Sequence, residues 1–304
     1  MGVLIVGSVA LDSVRTPFGE VEEVLGGSAT YGSIAASYFT DVDLVAVVGE
    51  DFPEPHRDFL RRRGVNVDGL VTKPGRTFRW KGEYGFQLNE AKTLRTELNV
   101  LETFQPTLPP RCRQAEIVFL ANIDPELQLH VLSQVERPRL VAADTMNFWI
   151  DGKRDALLRV LKEIDLLMIN DGEARSLAKE VNLVKAAQWI LGCGPKGLII
   201  KRGEYGAMMF NSHRVFIAPA YPLESVFDPT GAGDSFAGGL LGYLAQSDDL
   251  SDGNLRRAVI FGSAMASFAV EAFSVERLKT VTEEDLQTRV SEFKAMTVFE
   301  ETVP

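Results

Sequence analysis

An acidic residue follows a glycine-rich turn in the stretch from 228 to 240, which reads DPTGAGDSFAGGL. Gly231 and Gly233 flank Ala232, so the backbone can bend tightly and present several N–H groups with little side-chain obstruction. Small and apolar residues follow at helical spacing, which predicts that the turn begins a buried helix. A helix N-terminus suits an anion such as a phosphate, because it carries unsatisfied N–H groups and the positive end of the helix dipole. Asp234 is then expected in the first helical turn, beside that anion.

Two other polar clusters follow predicted strands. Asn170 and Glu173 come directly after a buried strand, and the loop from Lys201 to Gly206 follows the next strand along the chain. Open parallel sheets bind ligands beyond the carboxyl ends of their strands, so we expect both clusters at one edge of a sheet. The spacing alone leaves simpler alternatives open. Glu173 could be only a helix-terminal charge, and the two glycines of the loop could only make a turn.

Asp12 follows the first apolar segment of the chain and precedes the glycine pair Gly26 and Gly27. A carboxylate can accept two hydroxyl hydrogen bonds, which is a natural way to hold vicinal hydroxyl groups. Taken alone, Asp12 could equally cap a loop. The residues from 29 to 39, directly after the glycine pair, are mostly small and predict a helix that packs closely on a sheet.

Alternating apolar and helical segments supply the elements that position these residues. Such alternation predicts a parallel sheet covered by helices on both faces. The predicted strands are Val3–Val9, Leu44–Val48, Ile117–Ala121, Leu140–Ala143, Leu166–Ile169 and Leu198–Lys201. The predicted helices between the later strands are Pro125–Val135, Lys153–Lys162, Glu173–Val181 and Leu183–Leu191. A hairpin is predicted from Ala207–Phe210 and Arg214–Ala218, around residues 211–213.

The segment from Val65 to about Pro110 differs from the rest of the chain. Its part from Thr77 to Leu88 mixes aromatic and polar residues in near-alternation, which predicts exposed antiparallel strands rather than a helix. We therefore expect a small sheet that stands apart from the main core.

The composition narrows the class of protein. Hydrophobic residues make up 45% of the 304 residues and charged residues 24%, which are ordinary values for a soluble protein. The net charge of -10 argues against nucleic acid or a membrane as a partner, because both favour a basic face. Cys112 and Cys193 lack metal-type partners nearby in sequence. With no signal peptide and no apolar run of about 20 residues, we expect a cytoplasmic protein.

The string DPTGAGDSFAGGL is similar to the C-terminal signature of the ribokinase family, also called PfkB-type carbohydrate kinases, and matches it almost residue for residue. The resemblance covers the chain from Val3 to about Phe268. It implies a single kinase domain over residues 1–304, with a doubly wound, mostly parallel α/β sheet and helices on both faces. It also implies a small β lid formed by about residues 12–25 and 72–106. Formulas of other nucleotide folds, GxxxxGK[ST] and a strand-linked GxGxxG, are absent from the sequence.

The resemblance also implies roles for individual residues. An anion hole for the transferred phosphoryl group would be formed by Gly231, Ala232 and Gly233, with Asp234 as the base for the acceptor hydroxyl. The ligands ATP and Mg²⁺ are implied, with Asn170 positioning phosphate and Glu173 contacting the metal through water. The remaining implied contacts are Asp12, Gly26 and Gly27 with the acceptor, Lys201, Gly203 and Gly206 with ATP, and Gly262 and Ser263 near the adenine.

Some positions depart from the family pattern. Ribokinase carries Asn shortly after the paired glycines, whereas this chain has Tyr31, which argues against ribose itself and could stack on a ring of the acceptor. Many relatives read Asp-Pro-Asn where this chain has Asp144-Thr-Met. In the lid, Arg79 is a predicted acceptor contact, and together with Lys81 it would supply the positive charge for a phosphorylated sugar.

The implied activity is transfer of the γ-phosphate of ATP to an alcohol group of a small carbohydrate or polyol. A nucleoside kinase of the same family is the alternative, since Tyr31 and the aromatic lid residues could hold a base. A non-catalytic sugar- or nucleotide-binding regulator is a third hypothesis, against which Asp234, Asn170 and Glu173 argue. The acceptor therefore stays open between sugar, inositol, sugar phosphate and nucleoside. Family members often pair through their lids, so a homodimer is also expected.

Overall fold

Two β-sheets organise the chain in the computed structural model, which describes residues 2–211 and 214–298. The larger sheet has nine strands in the order β13-β12-β11-β10-β9-β8-β1-β4-β5, and the smaller has four in the order β3-β2-β6-β7. In chain order the strands are β1 (Val3–Val6), β2 (Ala10–Thr16), β3 (Gly19–Gly26), β4 (Val42–Gly49), β5 (Val65–Lys73), β6 (Phe78–Tyr84), β7 (Ala91–Glu97), β8 (Ile117–Leu120), β9 (Leu140–Ala143), β10 (Leu166–Asn170), β11 (Gly197–Lys201), β12 (Ala207–Asn211) and β13 (Val215–Ala218). Strands β1, β4, β5 and β8–β11 run parallel to one another. Strand β12 runs antiparallel to both of its neighbours, β11 and β13.

Helices cover both faces of the larger sheet. They are α1 (Ser28–Ala36), α2 (Glu54–Arg62), α3 (Pro110–Arg113), α4 (Pro125–Leu132), α5 (Asn147–Gly152), α6 (Arg154–Glu163), α7 (Asp171–Ala178), α8 (Leu183–Leu191), α9 (Ala232–Ser247), α10 (Asp252–Ala269) and α11 (Glu283–Thr297). Val3 and Ile5 of β1 pack into one hydrophobic cluster with α1, α9 and α10. Leu4 and Val6 of the same strand pack into a second cluster with α4, α6 and α8. This alternation, on a strand that is buried throughout, confirms the predicted α/β fold.

Most predicted strands and helices of the larger sheet are confirmed within a few residues. The predicted hairpin is present as the β12–β13 pair, and its turn residues 212 and 213 lie outside the described residues. Helices α3, α5 and α11 were not predicted. The start of α11 carries a capping box of Thr282 and Asp285. This pattern of residues is visible in the sequence and could have indicated the start of a helix. The expected small sheet from Val65 to about Pro110 is wrong at its start, because β5 pairs parallel with β4 as the edge strand of the larger sheet. Along the described part of the chain, no helix is both long and apolar enough to span a membrane.

The smaller sheet forms the lid, and its register decides which side chains face the site. Strand β6 pairs parallel to β2 and antiparallel to β7, so the predicted aromatic and polar segment is one strand between two partners. Asp12 of β2 is the direct partner of Trp80 of β6. Since side chains alternate along a strand, Trp80, Gly82 and Tyr84 share the face of Asp12. We call this the inner face of the lid.

Candidate active site

The carboxyl ends of five neighbouring parallel strands carry the polar residues of the site. In spatial order, Lys201 ends β11, Asn170 ends β10, Asp144 follows β9, Asn122 follows β8 and Ser8 follows β1. This row confirms that the sheet brings the predicted clusters to one edge. Residues predicted to contact ATP lie at the β11 end of the row, and those predicted to contact the acceptor lie at the β1 end.

The glycine-rich turn is held rigidly at the start of α9. The two carboxylate oxygens of Asp228 accept hydrogen bonds from Thr230 N at 2.9 Å and Ser274 N at 3.0 Å. Gly231 adopts the left-handed conformation, with φ 76° and ψ 0°. A Cβ at Gly231 would lie 2.3–2.4 Å from ring carbons of Tyr31, so the tyrosine ring packs directly against the turn. Tyr31 therefore supports residues 229–233, which we call the anion-binding turn after their predicted role, and its contact with the acceptor stays a prediction.

Lys201 lies beside the anion-binding turn. Its Nζ is 2.8 Å from Asp144 Oδ2 and 2.9 Å from the point where a Cβ on Gly233 would lie. Burial opposes the charge of Lys201, but the carboxylates of Asp144, Glu173 and Asp234 outweigh it and raise the pKa of the ammonium. One buried cation is thus surrounded by three acidic groups at the place where phosphate is expected.

Asp234 and Glu173 both hold protons more tightly than exposed acids do. Burial, reinforced by the charge of Asp144, raises the pKa of Asp234 to about 7. The same two causes raise the pKa of Glu173 to about 8. Glu173 also closes a capping box at the start of α7, in which its Oε2 accepts from Asn170 N at 2.8 Å and Asn170 Oδ1 accepts from Glu173 N at 2.7 Å. A pKa near neutrality suits Asp234 to act as a base.

The raised pKa of Glu173 predicts how stability changes with pH. An unfolded chain releases this proton near pH 4.5, whereas the folded chain keeps it up to about pH 8. Folding therefore takes up a proton between these values, and the contribution of Glu173 to stability is lost as the pH rises through about 8. We expect the unfolding free energy of the wild type, relative to Glu173→Gln, to fall by about 4 kcal/mol from pH 5 to pH 8.5, with most of the loss below pH 8. Urea unfolding without metal or nucleotide measures this difference.

Glutamine can still accept the hydrogen bond from Asn170, so the substitution removes the titration with little change of shape. Glu284→Gln, at an exposed position in the first turn of α11, is the matched control and should leave the pH profile unchanged. Parallel profiles for the wild type and Glu173→Gln would show that Glu173 does not titrate in this range.

Asp12 is buried at the acceptor end of the row, with 4% of its surface exposed. Its Oδ2 accepts from Gly27 N at 3.2 Å, and a Cβ at Gly26 would lie only 1.9 Å from the same oxygen. The glycine pair therefore lets the chain pass directly over the carboxylate. Burial raises the pKa of Asp12 to about 7, although the Gly27 hydrogen bond opposes the shift. Asp228 and Asp234 add to the shift, which places Asp12 near the proposed base.

The inner face of the lid carries Trp80, one of the lid residues that could contact the acceptor, and Tyr84, which was not predicted. The Trp80 ring covers Gly82, since a Cβ there would lie 2.0 Å from a ring carbon, and its Nε1 donates to Thr93 Oγ1 at 3.2 Å. Tyr84 Oη lies 3.3 Å from Thr230 Oγ1, so the lid touches the anion-binding turn. Only the strand register, which the sequence does not reveal, shows that Trp80 lies beside Asp12.

The predicted contact between Arg79 and the acceptor is not supported by this geometry. Arg79 is one residue from Trp80 and therefore points to the opposite face of the lid. Its guanidinium donates to Glu23 at 2.8 Å and pairs with Asp51 at 2.8 Å. Lys81, on the same outer face, lies 3.4 Å from Glu22. The two cations expected to hold a phosphorylated sugar are thus each paired with carboxylates.

Asn122, which follows β8, is a polar residue of the site that was not predicted. Trp149 Nε1 donates to Asn122 Oδ1 at 3.0 Å. Because an indole N–H can only donate, this bond fixes which end of the amide is oxygen. The Asn122 amide nitrogen then contacts Met146 Sδ at 3.1 Å, and sulfur is a weak acceptor. The main-chain oxygen of Asn122 accepts from Ser28 Oγ at 3.4 Å, next to the glycine pair.

The remaining predicted nucleotide contacts divide into two places. Gly203 and Gly206 both have positive φ, 53° and 80°, in the loop after β11. Gly262 lies between helices, where a Cβ would be 2.7 Å from the Phe236 main-chain oxygen, so close packing of α9 and α10 accounts for this glycine. The Ser263 hydroxyl donates to Val259 O at 2.9 Å within α10. A contact of either α10 residue with adenine stays a prediction.

Comparisons with known proteins show which family the chain resembles throughout most of its length. A family model described as pfkB family carbohydrate kinase matches residues 4–280. The chain is 28% identical over 259 residues to a cytidine kinase of Thermococcus kodakarensis, covering 83% of this chain and 91% of the relative. It is 27% identical over 270 residues to a nucleoside kinase of Methanocaldococcus jannaschii, covering 86% and 83%. The solved structure of the M. jannaschii nucleoside kinase, described as an archaeal member of the ribokinase family, has a TM-score of 0.76 at 21% identity and covers 96% of this chain and 98% of that one.

Proposed function

The chain belongs to the pfkB family of carbohydrate kinases, and we propose that it is a nucleoside kinase that phosphorylates the primary alcohol of a nucleoside with ATP. One observation carries the choice of a nucleoside: the Trp80 ring lies on the inner face of the lid as the direct cross-strand neighbour of Asp12. A carboxylate beside an aromatic surface suits a ligand that joins vicinal hydroxyls to a flat ring. The similarity to a cytidine kinase and a nucleoside kinase also favours a nucleoside over a carbohydrate or polyol as the acceptor.

Asn122 supports the same choice. Its amide nitrogen is oriented by Trp149 and donates only to a thioether in the described residues, so it keeps donor capacity for a base. A nucleobase offers ring nitrogens and carbonyl oxygens as acceptors. The proposed acceptor therefore lies with its sugar hydroxyls on Asp12 and its base between Trp80 and the end of β8.

Asp234 receives a proton in the proposed reaction. The alcohol oxygen forms a bond to the γ-phosphorus, the bond from that phosphorus to the bridging oxygen breaks, and ADP leaves with the electron pair. The alcohol proton passes to the Asp234 carboxylate. The N–H groups of Gly231 and Gly233 donate to the phosphoryl oxygens, where negative charge spreads in the transition state. The N–H of Ala232 instead donates to Pro229 O at 3.2 Å and holds the turn. Lys201, already beside Gly233, neutralises part of that charge.

The residues around Glu173 fit a magnesium ion held mainly by water and phosphate. Three acidic groups surround one lysine, and burial together with the negative charge of Asp144 raises the pKa of Glu173. Among the described residues, no group of three or more potential ligands forms a ready-made metal site. Mg²⁺ usually takes one or two carboxylates and keeps several waters, so Glu173 would hold it through water. When bound, the metal supplies charge neutralisation to the phosphates.

A coupled assay of ADP release tests the proposed function. Cytidine, uridine, adenosine, inosine and guanosine are compared with ribose, fructose and myo-inositol, each with Mg²⁺ and ATP. We expect at least one nucleoside to exceed the best sugar or inositol in kcat/KM by about tenfold or more, since base stacking contributes about 1–3 kcal/mol. A preference for a sugar or inositol would contradict the nucleoside proposal, and no stimulation by any acceptor would contradict catalysis.

Trp80→Ala tests the base contact. The substitution is expected to raise the KM for the preferred nucleoside by about 10–100-fold, because an aromatic platform for a base is lost. The KM for ATP should change by less than about twofold. Phe86→Ala removes a fully exposed aromatic ring of the same lid and is the matched control. Equal effects of the two substitutions on the nucleoside would remove Trp80 from the acceptor site.

A further inference from the structure

We propose that Asn89, at the tip of the lid, is part of the nucleotide-binding site and donates a hydrogen bond to the phosphate chain of the donor. Residues 85–90 form the turn between β6 and β7, and Asn89 lies near its end. This proposal rests on the kinase reaction proposed above but not on the choice of acceptor. It extends the lid from the acceptor end of the site to the nucleotide end.

The evidence is the contact of Asn89 with Gly203. A Cβ added to Gly203 would lie 1.8 Å from Asn89 Oδ1 and 2.5 Å from its Cγ. The lid amide therefore occupies the space directly above the Gly203 main chain. Gly203 begins the loop that follows β11, next to Lys201, whose ammonium lies against the anion-binding turn. Asn89 thus reaches the nucleotide end of the row of strands, on the far side from Asp12.

The contact between Tyr84 and Thr230 shows in which direction the turn between β6 and β7 crosses the site. Tyr84, at the end of β6, meets Thr230 of the anion-binding turn at 3.3 Å. Asn89 is five residues further along and meets Gly203. The chain between them therefore passes from the place of phosphoryl transfer to the nucleotide loop. A nucleotide whose γ-phosphate lies at Gly233 would extend beneath this turn.

The chemistry of an amide suits this place. The site already holds Asp144, Glu173 and Asp234, so a carboxylate at the lid tip would repel the nucleotide further. An amide N–H₂ donates to phosphate oxygens without adding charge, and hydrogen bonds to charged groups are stronger than neutral ones. Asn89 is exposed, so its side chain is available to a ligand.

Isothermal titration calorimetry of the non-hydrolysable analogue AMP-PNP with Mg²⁺ tests the proposal without any acceptor. Asn89→Ala is expected to weaken binding by about tenfold, which is the effect of losing one hydrogen bond to a charged group. Asn89→Asp has nearly the same size but repels phosphate, so we expect it to bind more weakly than Asn89→Ala. Gln87→Ala, exposed on the same turn, should bind like the wild type.

The order of the two Asn89 variants separates nucleotide binding from mere support of Gly203. Asp can accept the same contacts as the Asn89 oxygen, so a supporting role predicts that Asn89→Asp binds AMP-PNP at least as tightly as Asn89→Ala. That result, or an unchanged affinity in Asn89→Ala, would overturn the proposal. Equal thermal unfolding temperatures show that the variants are folded. If no acceptor stimulates ADP release but the AMP-PNP affinities follow the expected order, the proposed catalysis is contradicted and the nucleotide contact of Asn89 is not.

Discussion

Asp234→Asn is expected to lower the turnover number by about 10²–10⁴-fold, because a positioned base contributes that much to proton transfer. The amide has nearly the shape of the carboxylate, but it cannot take the alcohol proton. Binding of AMP-PNP should stay within about twofold of the wild type, since the anion-binding turn and Lys201 are unchanged. Steady-state kinetics with the best acceptor, together with calorimetry of the analogue, measure the two effects separately.

The pH profile of the wild type supplies an independent check on Asp234. Burial raises its pKa to about 7, so the carboxylate loses its charge below that pH. We expect kcat at saturating acceptor to fall about tenfold for each pH unit below about pH 7 and to level off above it. The residual activity of Asp234→Asn should lack that limb. Near-normal turnover in the variant would mean that another group, or water, receives the proton.

Gly231→Ala is expected to lower turnover by about 10²–10³-fold and the unfolding free energy by about 2–5 kcal/mol. The stability loss has two sources: left-handed backbone costs about 1–2 kcal/mol in a residue with a Cβ, and the new methyl overlaps the Tyr31 ring. The turnover loss follows because relief of the overlap moves the N–H groups away from the phosphoryl oxygens, and one lost donor costs about 2.7–4 kcal/mol. Urea unfolding and steady-state kinetics measure both losses.

Gly64→Ala is the matched control for Gly231→Ala. Gly64 has φ +81°, but a Cβ there would meet no atom within 4 Å. It should therefore lose only the backbone contribution of about 1–2 kcal/mol and keep full activity. In a Tyr31→Ala chain, the overlap is absent, so Gly231→Ala should cost less stability than it does in the wild type. Additive costs would show that Tyr31 does not press on the turn.

The larger sheet could be predicted because each buried parallel strand is a continuous apolar run, as in Ile117–Leu120. The anion-binding turn could be predicted because its backbone needs glycine and its chemistry needs an acid. The lid was predicted as a sheet, but not which of its faces meets the site. That distinction depends on pairing Asp12 with Trp80, which are far apart in the chain. A shift of one residue would turn Arg79 inward and Trp80 outward.

Partners distant in sequence account for the other differences. Arg79 looked free for an acceptor, yet Glu23 and Asp51 hold it. Tyr31 was predicted only as a contact for the acceptor, and its ring also supports Gly231, 200 residues later in the chain. The local sequence was enough to predict which residue types could take part in catalysis or binding. The local sequence could not show which of these side chains contact each other in the folded protein.

The lid is also docked at the turn between β2 and β3, where Thr16 Oγ1 donates to Phe227 O at 2.9 Å and the rings of Phe18 and Phe227 lie 5.7 Å apart. With Tyr84 on Thr230 and Asn89 on Gly203, these contacts enclose both ends of the site. In the proposed reaction, we expect the products to leave only after these contacts break. The frequency of lid opening thus sets a ceiling on the number of cycles per second, however fast the chemical step becomes.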